Sequence, residues 1–360
     1  MADASAPAPR RDPIVSRPEL QGMDPERLAA MLRFVDRRGR RLGSIVIARN
    51  GCIVSETYFD PFASDTCHHV YSVTKSIVAM LVGIAIQDGV IGDVRQRVID
   101  FFPELRDVNH DPRLHVLTIE HLLAMQTGLR WNETKAPYGT PANAVEQMKR
   151  SAEWPRFILG QPFERRPGER FAYNSGASHL LSAIIGRQSG MSACAYATAR
   201  LFQPLGITNV QWTHDPSGIT TGGWGLHLTT TDMMRIGLLL LNRGAWSGNR
   251  IVPANWIDES TRKRAVVVSK WDPRFRLAAV LWWLLGHASL PLTRMDYGYH
   301  WWLPPFGGYA ARGYGGQAIF VLPALQLVVA TAGELGAQGA YLPEKLMRSF
   351  IIPSIMRFRR

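Results

Sequence analysis

The chain has 360 residues, 41 Lys+Arg against 29 Asp+Glu for a net charge of +12, 46% hydrophobic residues and 19% charged ones. At about 150 residues per domain this length predicts about two domains or one two-part domain, and the balance excludes wholesale disorder, collagen and coiled coil. Only 6 of the basic residues are lysine and the excess is dispersed. Such diffuse charge permits weak attraction to nucleic acid or anionic membrane but points to neither, so no nucleic-acid partner is expected.

The opening MADASAPAPRRDPIVSRPEL is Ala/Pro/Arg-rich and lacks the apolar core of a secretory signal. It predicts a flexible leader over 1–22 and a cytoplasmic protein. Asp24–Arg37 has helical spacing, with Leu28, Met31, Leu32 and Val35 on one side. Ser44–Ala48 and Cys52–Phe59 are β-rich runs around Arg49-Asn50-Gly51, a hairpin signal. From Ser76 to about Met234 the pattern is mainly helical, broken by Pro/Gly loops near Pro137–Pro141 and Pro162–Gly168. Leu277–Leu292 is the most lipid-like stretch, but its 16 residues are broken by Gly286, His287 and Pro291. A spanning helix needs about 20 apolar residues, so a buried helix, a lid or an interfacial segment is expected. Ala318–Leu322 and Leu325–Thr331 then predict two adjacent strands around Pro323.

Strands at both ends with helices between them predict an α+β fold: an antiparallel sheet flanked by helices, built from both termini, plus an all-α insertion. The corresponding units are a sheet domain of 23–75 and 235–360 and a mainly helical domain of 76–234, with the active site at their junction. Cys52, Cys67 and Cys194 form no CxxC pair, which argues against a disulfide framework or zinc cluster. The histidines show no HExxH spacing, so neither a metal nor a cofactor is expected. His68-His69 reads as structural.

Two Ser-x-x-Lys elements occur, Ser72-Val73-Thr74-Lys75 and Ser260-Thr261-Arg262-Lys263. Ser260 lies among Glu259, Arg262 and Arg264 and reads as a solvated face. Ser72 instead precedes SIVAMLVGIAI (Ser76–Ile86), apolar nearly all round and therefore a buried helix. Ser72 and Lys75 would lie one turn apart on one face, at a helix N-terminus that favours developing negative charge. Burial would lower the lysine pKa toward that of a general base, and a neutral amine beside a hydroxyl activates it as a nucleophile. On this segment alone, a helix start with an incidental lysine reads equally well. Tyr173 falls in a polar loop after the Pro167-Gly168 turn and just before a helical apolar run. Gly313-Tyr314-Gly315-Gly316-Gln317 leads into the strand Ala318–Leu322, and glycines there let another backbone approach closely. Taken singly, these two read more simply as a packed tyrosine and a glycine turn.

In order, these elements resemble the serine β-lactamase-like superfamily, specifically its class C, esterase and aminohexanoate-oligomer hydrolase branch, over about Leu42–Gly333. The first motif is Ser72-Val73-Thr74-Lys75, and the second, normally Tyr-x-Asn, falls on Tyr173-Asn174-Ser175. The third, normally Lys-Thr-Gly or His/Trp-x-Gly, falls on Tyr314-Gly315-Gly316. The runs TIEHLLAMQTGL (Thr118–Leu129) and GGWGLHLTTTDMMRIG (Gly222–Gly237) also resemble segments of this branch. Two departures stand out: Ser175 replaces the usual Asn, and Tyr314 brings no positive charge to face a β-lactam carboxylate.

The resemblance implies a β-lactamase/transpeptidase-like fold and acyl transfer to Ser72, with Lys75 taking or relaying the proton. Tyr173, as a phenolate stabilised by Lys75, would shuttle protons to the leaving group. It implies an oxyanion hole of the Ser72 and Gln317 N–H groups, and substrate contacts from Tyr314, Gly315, Gly316, Asn174 and Ser175. The expected partner is a small ester or amide substrate. The alternatives are a β-lactamase or D-stereospecific peptidase with the same residues, and a non-catalytic binding protein. Trp282-Trp283 and Trp301-Trp302 suggest an aromatic acyl pocket, or simply core packing. Weak peripheral membrane contact is the remaining reading, through Leu277–Leu292 and the basic, apolar tail Glu344–Arg360, although a C-terminal helix packed on the sheet is the simpler reading of that tail.

Overall fold

The computed structural model describes residues 13–36, 42–268, 294–336 and 341–355. Leu277–Leu292 and Trp282-Trp283 lie outside them.

Helix α1 (Pro25–Asp36) buries Leu28, Met31 and Val35, three of the four residues its spacing predicted. Strands β1 (Leu42–Arg49) and β2 (Cys52–Tyr58) form the expected hairpin. Its two turn residues, Asn50 (φ 52°) and Gly51 (φ 79°), are left-handed, as the tight turn requires. Six further strands complete an antiparallel sheet: β3 (Ala265–Val268), β4 (Arg294–Tyr297), β5 (Trp302–Leu303), β6 (Tyr309–Arg312), β7 (Ala318–Leu322) and β8 (Leu327–Gly333). The order is β2-β1-β8-β7-β6-β5-β4-β3, so the N-terminal hairpin docks on β8 near the other end of the chain. This sheet, flanked by helices, is the α+β fold expected.

Both faces of the sheet are covered. In β1, Ile45 and Ile47 join the cluster around α1 and the short helix Leu342–Leu346, while Val46 and Ala48 join the opposite cluster. That alternation is the period-2 geometry of a strand. Helix α2 (Val73–Gln87) is buried at every residue from Val73 to Ala85, and it packs beside helix α3 (Ser175–Ser189). Helix α4 (Thr230–Leu241) lies on β7 and β8. A small sheet of His68–His69, Gln211–Trp212 and Leu226–Leu228 lies apart from the large one. Its pairs are too short for periodicity to have revealed it.

One expectation changes. Residues 13–22, placed in a flexible leader, are fastened to the hairpin: Val15 bridges Ile53, Ser16 N–H bonds the Ile53 carbonyl at 2.8 Å, and Arg49 Nη1 donates to Gly22 O at 2.7 Å. In the tail, Leu346, Met347 and Ile351 are fully buried and join the cluster that packs α1. No helix among the described residues is long and apolar enough to cross a membrane.

Candidate active site

Ser72 occupies the cap position of α2, yet its side chain makes no capping bond. Serine favours that position because its oxygen can accept an orphan helix N–H; here the hydroxyl is turned elsewhere. Lys75 Nζ donates to Ser72 Oγ at 3.0 Å and to the Gly223 carbonyl at 2.7 Å. Tyr173 lies close enough to the same serine for Ser72 to favour its ionised form, and catalytic hydrogen bonds often close only when substrate tightens a site. The Lys75 ammonium lies 4.8 Å from the centre of the Tyr173 ring. Tyr173, about a hundred residues further along the chain, thus meets Ser72 and Lys75 where the buried helix begins.

Each is held by its own device. Tyr71, directly before the serine, has a left-handed φ of 46°, and Met125 (φ 56°) and His300 (φ 59°) are strained alike. Met125 receives the Ala172 N–H on its carbonyl and the Asn174 N–H on its sulfur, which fixes the loop carrying Tyr173. The His300 carbonyl accepts Ser76 Oγ of α2 at 2.6 Å. A methyl at Gly222 would sit 2.0 Å from the Ser178 carbonyl oxygen, so glycine is what lets the 222–225 run close on α3 and bring the Gly223 carbonyl to Lys75.

Burial brings Lys75 down to about 8, against the opposing negative charge of Glu133. Burial raises the Tyr173 phenol well above its usual 10, and Glu133 adds to this, while Ser72 and Arg312 act the other way. Burial thus works against the phenolate expected from the resemblance: the desolvation that leaves more of the lysine neutral also makes the phenol a weaker acid.

The third motif adjoins the serine turn. A methyl at Gly313 would sit 2.3 Å from the Val70 carbonyl oxygen and 3.0 Å from Gln317 Cβ. Gly315 and Gly316 are left-handed (φ 80° and 96°). The Gln317 side chain is locked to Gly333, donating to its carbonyl and accepting its N–H. Tyr314 is exposed and stands edge-on to Tyr71, ring centres 5.4 Å apart.

Asn174 and Ser175, expected on substrate, are buried and bonded within the protein, with Asn174 Nδ2 left without a partner among the described residues. Asn174 Oδ1 caps α3 by accepting the Ala177 N–H at 3.0 Å, and the Ser175 hydroxyl donates to Glu133 Oε1 at 2.5 Å. The tryptophans also divide: Trp302 lies against the Tyr173 ring (6.1 Å, 27°), whereas Trp301 is 1% exposed core. Ser260, read as solvated, is buried and bonds the Ile257 carbonyl, while Lys263 pairs with Asp296; this second Ser-x-x-Lys makes no dyad. His68 is buried against Phe62, and His69 Nε2 accepts the Gly225 N–H.

Sequence reasoning missed the Gly223 carbonyl, Glu133 and Arg312. The resemblance of the Gly222–Gly237 run marked the first region; Glu133 and Arg312 carried no spacing signal. Among the described residues, no cluster of three or more His, Cys, Asp or Glu is placed to hold a metal ion.

With this fold and constellation, the chain belongs to the beta-lactamase family, whose model, described as Beta-lactamase, matches residues 28–333. It is 26% identical over 320 residues to the 6-aminohexanoate-dimer hydrolase of Paenarthrobacter ureafaciens, covering 84% of this chain and 79% of that one. Among solved structures, a putative 6-aminohexanoate-dimer hydrolase from Bacillus anthracis superposes with a TM-score of 0.70 at 19% identity, over 97% of this chain and 91% of that one. A family VIII carboxylesterase superposes with a TM-score of 0.67 at 17% identity, over 93% and 98%. The protein is a serine hydrolase of the beta-lactamase fold.

Proposed function

We propose that this protein cleaves ester or amide bonds through an acyl-enzyme on Ser72, as a carboxylesterase or an aminohexanoate-type amide hydrolase. The observation that carries this reading is the Ser72 hydroxyl, bonded by Lys75 Nζ at 3.0 Å, with the Tyr173 ring centre 4.8 Å from the same amine. The names of the hydrolase relative and the carboxylesterase neighbour support the substrate class.

A neutral Lys75 amine keeps an N–H on the Gly223 carbonyl and offers its lone pair to the Ser72 proton. As that proton leaves, Oγ bonds the substrate carbonyl carbon and the C=O electron pair moves onto oxygen. The Ser72 and Gln317 N–H groups receive this oxyanion, each worth about 3 kcal/mol in the transition state. Collapse expels the alkoxide or amine, which takes the phenol proton of Tyr173 as Lys75 reprotonates the phenol. Water then attacks the acyl-enzyme, losing its proton along the same relay while Ser72 recovers its own. Trp302, Tyr297 and Phe171, in mutual edge contact beside Tyr173, form an apolar wall for the acyl chain. Tyr314, a neutral residue where β-lactam-recognising relatives carry lysine, disfavours the β-lactamase alternative.

The test is a panel of p-nitrophenyl esters, linear amide oligomers, D-amino-acid amides and nitrocefin, run on wild type and Ser72→Ala. Ester or amide turnover that vanishes in Ser72→Ala, together with fluorophosphonate labelling of wild type alone, is expected. Turnover surviving in the variant overturns the reading.

A further inference from the structure

Glu133 is 2% exposed, and its carboxylate accepts four hydrogen bonds. Trp131 Nε1–H (2.7 Å) and the Ser175 N–H (2.7 Å) reach Oε2, while the Tyr138 hydroxyl (2.8 Å) and the Ser175 hydroxyl (2.5 Å) reach Oε1. All the donors are neutral, and no ion pair to Glu133 occurs among the described residues. Ser175 opens α3 two residues after Tyr173, so the carboxylate takes one of the free N–H groups at the start of a 15-residue helix. The loop bearing Glu133 is closed from behind by Asn143 Nδ2, which donates to the Glu133 and Ala136 carbonyls at 3.0 and 2.8 Å. A carboxylate so fully bonded has no free lone pair for substrate; what remains active is its anchorage and its charge.

We propose that Glu133 is a positioning residue that pins the start of the helix behind Tyr173 and supplies the negative charge facing the buried Lys75. The inference rests on the Ser72–Lys75–Tyr173 reading above. Lys75 is faced by Glu133, Tyr173 and His300; Tyr173 by Glu133, Arg312 and Tyr297; and Tyr138 by Glu133 and Glu146. Within this set Glu133 is the anion that holds the proton on Lys75. Removing its charge makes the amine lose its proton at lower pH.

The test is kcat/KM against pH with p-nitrophenyl butyrate for wild type, Glu133→Gln, Ser175→Ala and Ser72→Ala. Glu133→Gln is expected to move the acid limb down by about one pH unit and to lower kcat about tenfold. Ser175→Ala removes a donor but keeps the charge, so it is expected to lower kcat with the limb in place. A folded, active Glu133→Gln with an unmoved limb overturns the inference while Ser72→Ala remains inactive; activity in Ser72→Ala overturns the underlying reading instead. If Glu133→Gln does not fold, Glu133→Asp carries the test. Drawn back by one methylene, it is expected to lose kcat with KM held within about twofold, and an unchanged kcat or a loss confined to KM overturns the inference.

Discussion

Gly313 lies against Val70 so closely that a single methyl on it would stand 2.3 Å from the Val70 carbonyl oxygen. Because Val70 is two residues before Ser72, this contact sets the distance between the glycine-rich strand end and the nucleophile turn. Gly313→Ala must push the two apart, and a displacement of that order costs on the order of 10²-fold in rate. The expected result is a large fall in kcat with near-native circular dichroism, measured on p-nitrophenyl butyrate. Wild-type kcat in this variant would show that the third motif takes no part in setting the reacting geometry.

Burial sets Lys75 at about 8, and only the neutral amine can take the serine proton. Wild-type kcat/KM is therefore expected to rise through about pH 8 and level off above it. A profile already flat from about pH 6 would remove Lys75 as the base.

The same residue links stability to pH. Folding lowers Lys75 from 10.5 to about 8, so between those values the unfolded chain holds more protons at this position than the folded one. Wild-type stability must then rise with pH across that window, relative to Lys75→Met, by up to about 3 kcal/mol. Urea unfolding of both proteins at several pH values checks this; a constant difference from pH 8 to 10.5 contradicts it.

Tyr173→Phe removes the relay hydroxyl but keeps the ring against Trp302. Expected are a loss of about 10²–10⁴-fold in kcat, little change in KM and an unchanged Tm. Stopped-flow kinetics should show the deficit in both acylation and deacylation, since one phenol serves both. A deficit in binding alone would assign Tyr173 to substrate contact.

Trp302 forms the aromatic wall beside Tyr173 with Tyr297 and Phe171. If that wall receives the acyl chain, wild-type kcat/KM should increase from C2 to about C6 esters at about 0.8 kcal/mol per buried methylene, within the limits of the pocket. Trp302→Ala should flatten the series. A series already flat in wild type rules out the acyl-pocket role.

Local chemistry made much of the fold legible before any coordinates. The β-rich run of β1, the Asn50-Gly51 turn, the 3.6-residue spacing of α1 and the unbroken apolar run of α2 are each properties of neighbouring residues, and the structure places them accordingly. Ser72 and Lys75 were legible for the same reason, being one turn apart on a helix. Ser260 and Lys263 show the limit: they have identical spacing, but Ser260 is the last residue of the helix Ala254–Ser260, so Lys263 falls beyond it and pairs with Asp296.

Tertiary structure alone decided which partners meet and in what charge state. Asn174 and Ser175 fall at the second motif's place in sequence, yet one caps α3 and the other bonds Glu133. The carbonyl of Gly223, 148 residues from Lys75, holds the amine, and burial works against a Tyr173 phenolate. Periodicity reports only which face of its own element a side chain shares. Hydrogen-bond partners and desolvation depend on segments distant in the chain, and those are fixed only when the sheet and helices close around the start of α2.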